Sequence, residues 1–227
     1  MILLLLLPLL PFIASVLILT LLRKNEQMSA VAGVIATGMT LTLLPFLFGR
    51  SLNGSITWLQ LNNYQLTLGL SQDTLSFLFL SVIGIVSLFV QIYAIGYMKK
   101  EEGKIRFFSI FSFFIGSMML LVLANSFLLL FVAWEAVSMA SFLLISFYLT
   151  REESKRAALA AFIMVRAADV GLFVAWLLVL LQTGTTDIPA FLNTIATGQF
   201  ANGILLIIAV LFVVGALGKS AQLPFSA

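Results

Sequence analysis

The sequence predicts an all-α membrane protein of about seven transmembrane helices, with its N-terminus outside, a short external β-hairpin and a broken seventh helix. Composition supplies the first observation: of 227 residues, 62% are hydrophobic and 9% charged, where soluble domains carry roughly 25% charged residues. The second is the length of the apolar runs. They continue for about 20 residues, enough to cross about 30 Å of hydrocarbon, whereas a membrane barrel alternates polar and apolar residues over strands of about 10. The third is the distribution of basic residues among the loops.

On the length criterion, spans fall at roughly 2 to 22, 29 to 49, 74 to 98, 107 to 124, 126 to 149, 157 to 181 and 203 to 221. The first has no basic stretch before it and no small-residue cleavage pattern, so it is expected to be retained as a helix. Between spans two and three, Ile56, Trp58, Gln60, Tyr64, Leu66 and Leu68 alternate around Asn62-Asn63, which predicts a hairpin over Ser55 to Leu68. Trp58 and Tyr64 suit an interfacial anchor. Loops after spans one, three and five hold Arg23, Lys24, Lys99, Lys100, Lys104, Arg106, Arg151, Lys155 and Arg156; those after spans two, four and six hold only Arg50. The positive-inside rule makes the first set cytoplasmic and places the N-terminus outside. In the last span, Gly218-Lys219-Ser220-Ala221-Gln222-Leu223-Pro224 should break the helix, because Pro224 lacks an N–H and biases Leu223 away from helix. The chain stops three residues later, which suggests a portion of a longer protein.

Cys and His are absent and the net charge is only +3. Disulfides, iron–sulfur ligation and His-ligated haem are thereby excluded within the chain, and nucleic acid is not an expected partner. No phosphate-binding loop or nucleophile triad occurs. Phe-rich runs such as Phe107-Phe108 and Phe113-Phe114 read as lipid-facing bulk. Ala133, Ala136, Ala140, Ala158 and Ala161 read as small residues for close helix packing.

Chemistry therefore rests on the four charged residues that lie within spans: Glu135, Arg166, Asp169 and Lys219. An ionised group near the bilayer centre costs about 2.5–3.5 kcal/mol on insertion scales and by default marks an ion pathway. Counting rise per residue from the outer face, Glu135 lies about 14 Å deep, Asp169 about 18 Å, Arg166 about 22 Å and Lys219 about 24 Å. Arg166 and Asp169 are three apart, share a helical face and are placed to pair. Static pairing of Glu135 with Arg166 or Lys219, and of Asp169 with Arg166, would hold helices in register. A proton relay would instead use Glu135 and Lys219 as switching groups and Arg166 as a tuning charge, since lysine can release its proton when buried and arginine does not.

The stretch from Tyr97-Met98 through Glu102, Arg106-Phe107-Phe108, Ser117-Met118, Leu121 to Asn125, Trp134-Glu135 and Leu143-Leu144-Ile145, followed by Gly218 to Pro224, resembles the antiporter-like membrane subunits of respiratory complex I. The likeness is to the subunit L (subunit 5) branch, which is related to the large Mrp antiporter subunit. Thr74, Asn125-Ser126 and Ala136 depart from the usual pattern, Asn125-Ser126 standing for a usual Asp-Asn, and none of them removes a titratable relay residue. The resemblance implies a proton relay on Glu135, Lys219, Asp169 and Arg166, the same four residues that depth and charge select. It also implies an N-terminal three-helix segment over 1–106, with the hairpin loop at 50–72. Residues 107–227 would then be the first part of an antiporter-like repeat.

The expected function is proton translocation as a non-redox subunit of an NADH:quinone oxidoreductase-type complex in a bacterial inner or equivalent energy-coupling membrane. No cofactor is expected in this chain; flavin, iron–sulfur clusters and quinone would sit on partner subunits, and the partners would be other membrane subunits and lipid. The alternative is a subunit of an Mrp-type sodium/proton antiporter or an inorganic-carbon uptake complex. More remote are a passive scaffold and a retinal protein. The retinal reading matches a lysine in span seven, but span three has no buried counter-ion, with Asp73 only at its start.

Overall fold

The computed structural model describes residues 2–148, 151–200 and 202–225. Its elements are helices α1 (Ile2–Thr20) and α2 (Glu26–Leu43), strands β1 (Leu52–Leu61) and β2 (Tyr64–Gln72), and helices α3 (Thr74–Tyr97), α4 (Lys104–Leu123), α5 (Phe127–Ile145), α6 (Glu152–Thr183), α7 (Ile188–Ala196) and α8 (Asn202–Lys219). The helices α1 to α6 are long and apolar enough to cross a bilayer, with α2 and α3 each extended by a short 3₁₀ turn, and Gly203–Lys219 is a shorter apolar helix. Large apolar side chains such as Val82, Phe89, Tyr93, Leu206 and Val210 stay exposed on the helix surfaces, as expected where the surrounding solvent is lipid. This is an integral membrane protein.

Local chemistry sets the boundaries. Asn25 caps α2 by accepting from the Met28 N–H at 3.0 Å. Asp73 and Ser76 form a capping box at the start of α3, and Ser126 and Asp187 cap α5 and α7. Two differences from the sequence expectation have physical reasons. The sixth helix begins at Glu152 rather than near 157, because Glu152, Lys155 and Arg156 continue it beyond the apolar stretch, where hydropathy gives no signal. The short α7 was not expected either; it spans nine residues, with Pro189 in its first turn and a strongly one-sided apolar face, too short to register as a span.

Helix α1 packs most extensively on α4, and α6 on α8. Small residues make both approaches close. A Cβ at Gly116 would stand 3.0 Å from the Pro8 carbonyl oxygen and from the Phe12 ring. At Gly218 it would stand 2.1 Å from the Ala168 Cβ, a distance only glycine permits.

The hairpin is longer than Ser55 to Leu68, running from Leu52 to Gln72, and turns at Asn62-Asn63 with Asn62 at φ 47°. A left-handed residue at this place matches the right-handed twist of the strands. Strand β1 is almost wholly exposed, Trp58 included. Strand β2 is tied down. Asn125 donates to the Gly69 carbonyl at 2.8 Å and Gln65 to that of Gly184 at 2.7 Å. The Thr67 N–H donates to the Thr186 hydroxyl at 2.8 Å, and Leu70 joins Leu4, Leu7, Leu44 and Leu123 in one apolar cluster. The hairpin thus sits at the end of the bundle where the α4–α5 and α6–α7 connections meet. The basic loops gather at the other end, where Arg106 donates to the Phe147 carbonyl and Lys104 lies 3.8 Å from Glu26.

Candidate functional site

The four charged residues expected within spans lie on α5 (Glu135), α6 (Arg166 and Asp169) and α8 (Lys219). The α6–α8 seam is the reason two of them share a level. Gly218 packs on Ala168 and Gly215 on Leu172, so the next residues along each helix, Lys219 and Asp169, are brought to the same height.

Arg166 forms an ion pair with Glu135 across α5 and α6. Its guanidinium carbon also lies 4.7 Å from the centre of the Phe162 ring, one turn earlier on its own helix. Asp169 is 3% exposed. It accepts a hydrogen bond from the Trp134 indole N–H at 2.6 Å through Oδ1, while its other oxygen has no protein partner among the described residues. Lys219 donates to the Trp134 backbone carbonyl at 3.2 Å and to the Ser138 hydroxyl. Its Nζ stands 5.1 Å from the Trp134 ring centre. Two of the three ammonium donors are thereby used.

The expected Arg166–Asp169 pair does not form. Arginine is long enough to leave α6 and reach the α5 carboxylate, whereas the short Asp169 side chain stays at its own helix, where the indole meets it. Lys219 likewise is not the partner of Glu135. The two residues that join the set without being expected are Trp134 and Ser138. Trp134 touches Lys219 with its carbonyl and Asp169 with its indole, so one residue fixes the positions of both. Ser138 had a faint signal in the sequence, as a hydroxyl three residues after Glu135 in a helix whose only other hydroxyl is Ser141.

If all four residues are ionised the set is formally neutral, which offsets much of the cost of holding charge in hydrocarbon. Beside it, a cavity of about 140 Å³ is lined by Lys219 and Ser138 at one side and by Ile145 and Ala158 near the basic-loop ends of α5 and α6. That volume holds several waters. Titratable groups, hydroxyls and a water-sized space adjoining a lysine suit proton movement. Among the described residues no group of three His, Cys, Asp or Glu side chains is placed to hold a metal ion.

Residues 124–227 match the family described as NADH:quinone oxidoreductase/Mrp antiporter, transmembrane, and residues 58–108 match the N-terminus of chain 5 of NADH-ubiquinone oxidoreductase (complex I). The chain belongs to this family of antiporter-like membrane subunits. It is 35% identical over 212 residues to the NADH-quinone oxidoreductase subunit L of Escherichia coli, covering 89% of this chain and 34% of that relative. It is 40% identical over 177 residues to the NADH-ubiquinone oxidoreductase chain 5 of Dictyostelium discoideum, covering 74% and 26%. The chain therefore spans about a third or less of the length of these relatives. Among solved structures, the Mrp complex of Dietzia sp. superposes with a TM-score of 0.84 at 28% identity, over 99% of this chain and 24% of that one. An archaeal membrane-bound sulfane sulfur reductase superposes at 0.70 and 23% identity, over 94% and 33%, which is a likeness of fold. The two matched stretches include the hairpin from Trp58 onward and all four charges within the spans.

Proposed function

We propose that this chain is a proton-translocating, non-redox membrane subunit of an NADH:quinone oxidoreductase-type complex, with Glu135, Lys219, Asp169 and Arg166 as its relay. The observation that carries this reading is the neutral set of two acids and two bases between α5, α6 and α8, with a cavity beside Lys219. Lys219 and Glu135 exchange the proton, Asp169 balances the lysine charge through Trp134, and Arg166 keeps Glu135 poised without releasing a proton itself. Flavin, iron–sulfur clusters and quinone belong to partner subunits, whose reaction drives the charge changes. Residues 1–106 serve as a three-helix flank, and residues 107–227 as the first part of an antiporter-like repeat.

Lys219→Arg tests the relay against static pairing. Guanidinium keeps the charge and the hydrogen bonds to Trp134 and Ser138 but holds its proton at working pH. Proton uptake by vesicles carrying the assembled complex should fall severalfold while assembly is kept; near-normal uptake identifies a structural salt-bridge network. The likeness to the Dietzia Mrp complex supports a second reading, a subunit of a sodium/proton antiporter. Uptake that requires sodium and proceeds without NADH oxidation would favour it.

A further inference from the structure

Away from the charged site, α2, α3 and α4 enclose a second polar cluster. Gln91 of α3, Thr37 of α2 and Ser112 of α4 are 0%, 0% and 1% exposed. Neither amide atom of Gln91 has a protein partner among the described residues, nor has the Thr37 hydroxyl or the Ser112 hydroxyl. Their neighbours behave differently. Ser81, Ser117 and Ser141 each donate to the carbonyl four residues earlier in their own helix, and Thr40 donates to the Thr37 carbonyl at 2.7 Å. Ser109 bonds across to Ser15 of α1. Thr37 and Ser112 forgo these bonds.

Gly33 explains why the unpaired atoms converge. The point where its Cβ would stand is 3.2 Å from Gln91 Nε2 and 3.2 Å from Ser112 Oγ. The two atoms are therefore no farther apart than twice that distance, and one bridging water, whose two hydrogen bonds together span up to roughly 5.5–6 Å, covers most of that range. Helix register places Thr37 one turn beyond Gly33 on the same face of α2. Gly84 of α3 abuts Leu41 of α2, so Thr37 stands opposite the turn of α3 just before Gln91. Gly33 and Ser112 lie seven and eight residues from the basic-loop ends of α2 and α4, about 10–12 Å in, and Thr37 lies one turn deeper.

We propose that Gln91, Ser112 and Thr37, around Gly33, form a binding site for ordered water inside the α2–α3–α4 seam. An acceptor, a donor and two hydroxyls that serve as either supply the two to four polar partners an internal water requires. A cation is a poor match, because the site offers only neutral groups and an ion there would be uncompensated within the membrane. The site is separate from the Glu135–Lys219 set and does not depend on the function proposed for that set.

A map of the intact complex, at a resolution that shows ordered solvent, is the decisive measurement. A peak within hydrogen-bond distance of the Gln91 amide and of either hydroxyl is expected. An amide bonded directly to Ser112 or Thr37, or a seam without a peak, overturns the proposal. Thermal unfolding of the complex gives a second readout. Gln91→Met should lower the melting midpoint, and Ser112→Ala should then lower it less than it does alone, because the bridge is already lost. A midpoint that holds or rises in Gln91→Met means that a dry, unpaired amide has been removed, and the water site is wrong. Ser112→Ala alone keeps the seam packed and serves if the methionine variant does not assemble.

Discussion

Two halves of the molecule solve the problem of polarity in hydrocarbon in opposite ways. Between the ends of α1, α2, α3 and α4 the buried polar side chains are Ser, Thr and Gln, uncharged groups of which several, such as Ser15, Ser109 and Thr40, bond to a nearby carbonyl or hydroxyl. Between α5, α6 and α8 the polar groups are a carboxylate–guanidinium pair, a second carboxylate and an ammonium. Uncharged groups cost less and lock helices together. Charged groups are tolerated only as a mutually compensating set, so removing one member exposes the cost of the rest. Uncharged and charged polarity are thus divided along the chain.

Breaking the charge balance should give the largest effect. Glu135→Leu leaves Arg166 without its partner and is expected to destabilise the protein by about 2–4 kcal/mol, at the lower side because the pair is partly exposed. Adding Arg166→Leu should recover most of that loss, since an apolar pair of similar size replaces an ion pair at little cost, yet leave proton transfer absent. Unfolding of the single and double variants in detergent, together with uptake in vesicles, checks both halves. If the double variant is no more stable than the single one, the set is not compensating in the way described.

The two close helix seams come next. Gly218→Ala drives a Cβ into Ala168 at 2.1 Å and should cost about 2–3 kcal/mol, with proton transfer falling as Lys219 leaves the level of Asp169. Gly116→Ala meets its neighbours at 3.0 Å and should cost about 1–2 kcal/mol with transfer unchanged. Equal effects on transfer would erase the distinction between the halves.

The smallest effect concerns the cap of α3. Hydrogen bonds from the Ser76 N–H and hydroxyl hold the Asp73 carboxyl below its ordinary pKa. A lowered folded-state pKa means that the stabilisation is complete above the ordinary carboxylate range and is lost as pH falls through the lowered value. Asp73→Ala should cost about 1 kcal/mol near neutral pH. Asp73→Asn should keep the cap but lose this pH dependence, as followed by thermal unfolding between acid and neutral pH.

The long apolar runs, the hairpin and the four charges within spans were legible because each leaves a one-dimensional trace: a run, a period of two, or a charge in a stretch otherwise suited to hydrocarbon. Partner choice among those charges was legible only in part, since Glu135 with Arg166 is one of two pairings the sequence offers that acid and nothing in it chooses between them. Arg166 lies three residues from Asp169, and sequence spacing favours that pair; the observed partner, Glu135, depends on how far a guanidinium reaches between helices. Trp134 has the same lesson in it. Its indole meets Asp169 between α5 and α6, and its carbonyl meets Lys219 where Gly218 lets α8 press on Ala168 of α6, a contact of which Ala168 carries no sign in the sequence. The start of α6 was misplaced for a simpler reason, since its first turns are polar and hydropathy sees only hydrocarbon.

The hairpin has a mechanical consequence for the charged site. Strand β2 bonds to Asn125, just before α5, and to Gly184, just after α6, so the hairpin ties these two helices at one end. At the other end the chain itself joins them through residues 146–151, and the Phe142 and Phe162 rings meet at 5.0 Å. Two rods tied at both ends keep their spacing, so the hairpin helps to set the level at which Glu135 meets Arg166 between the ties.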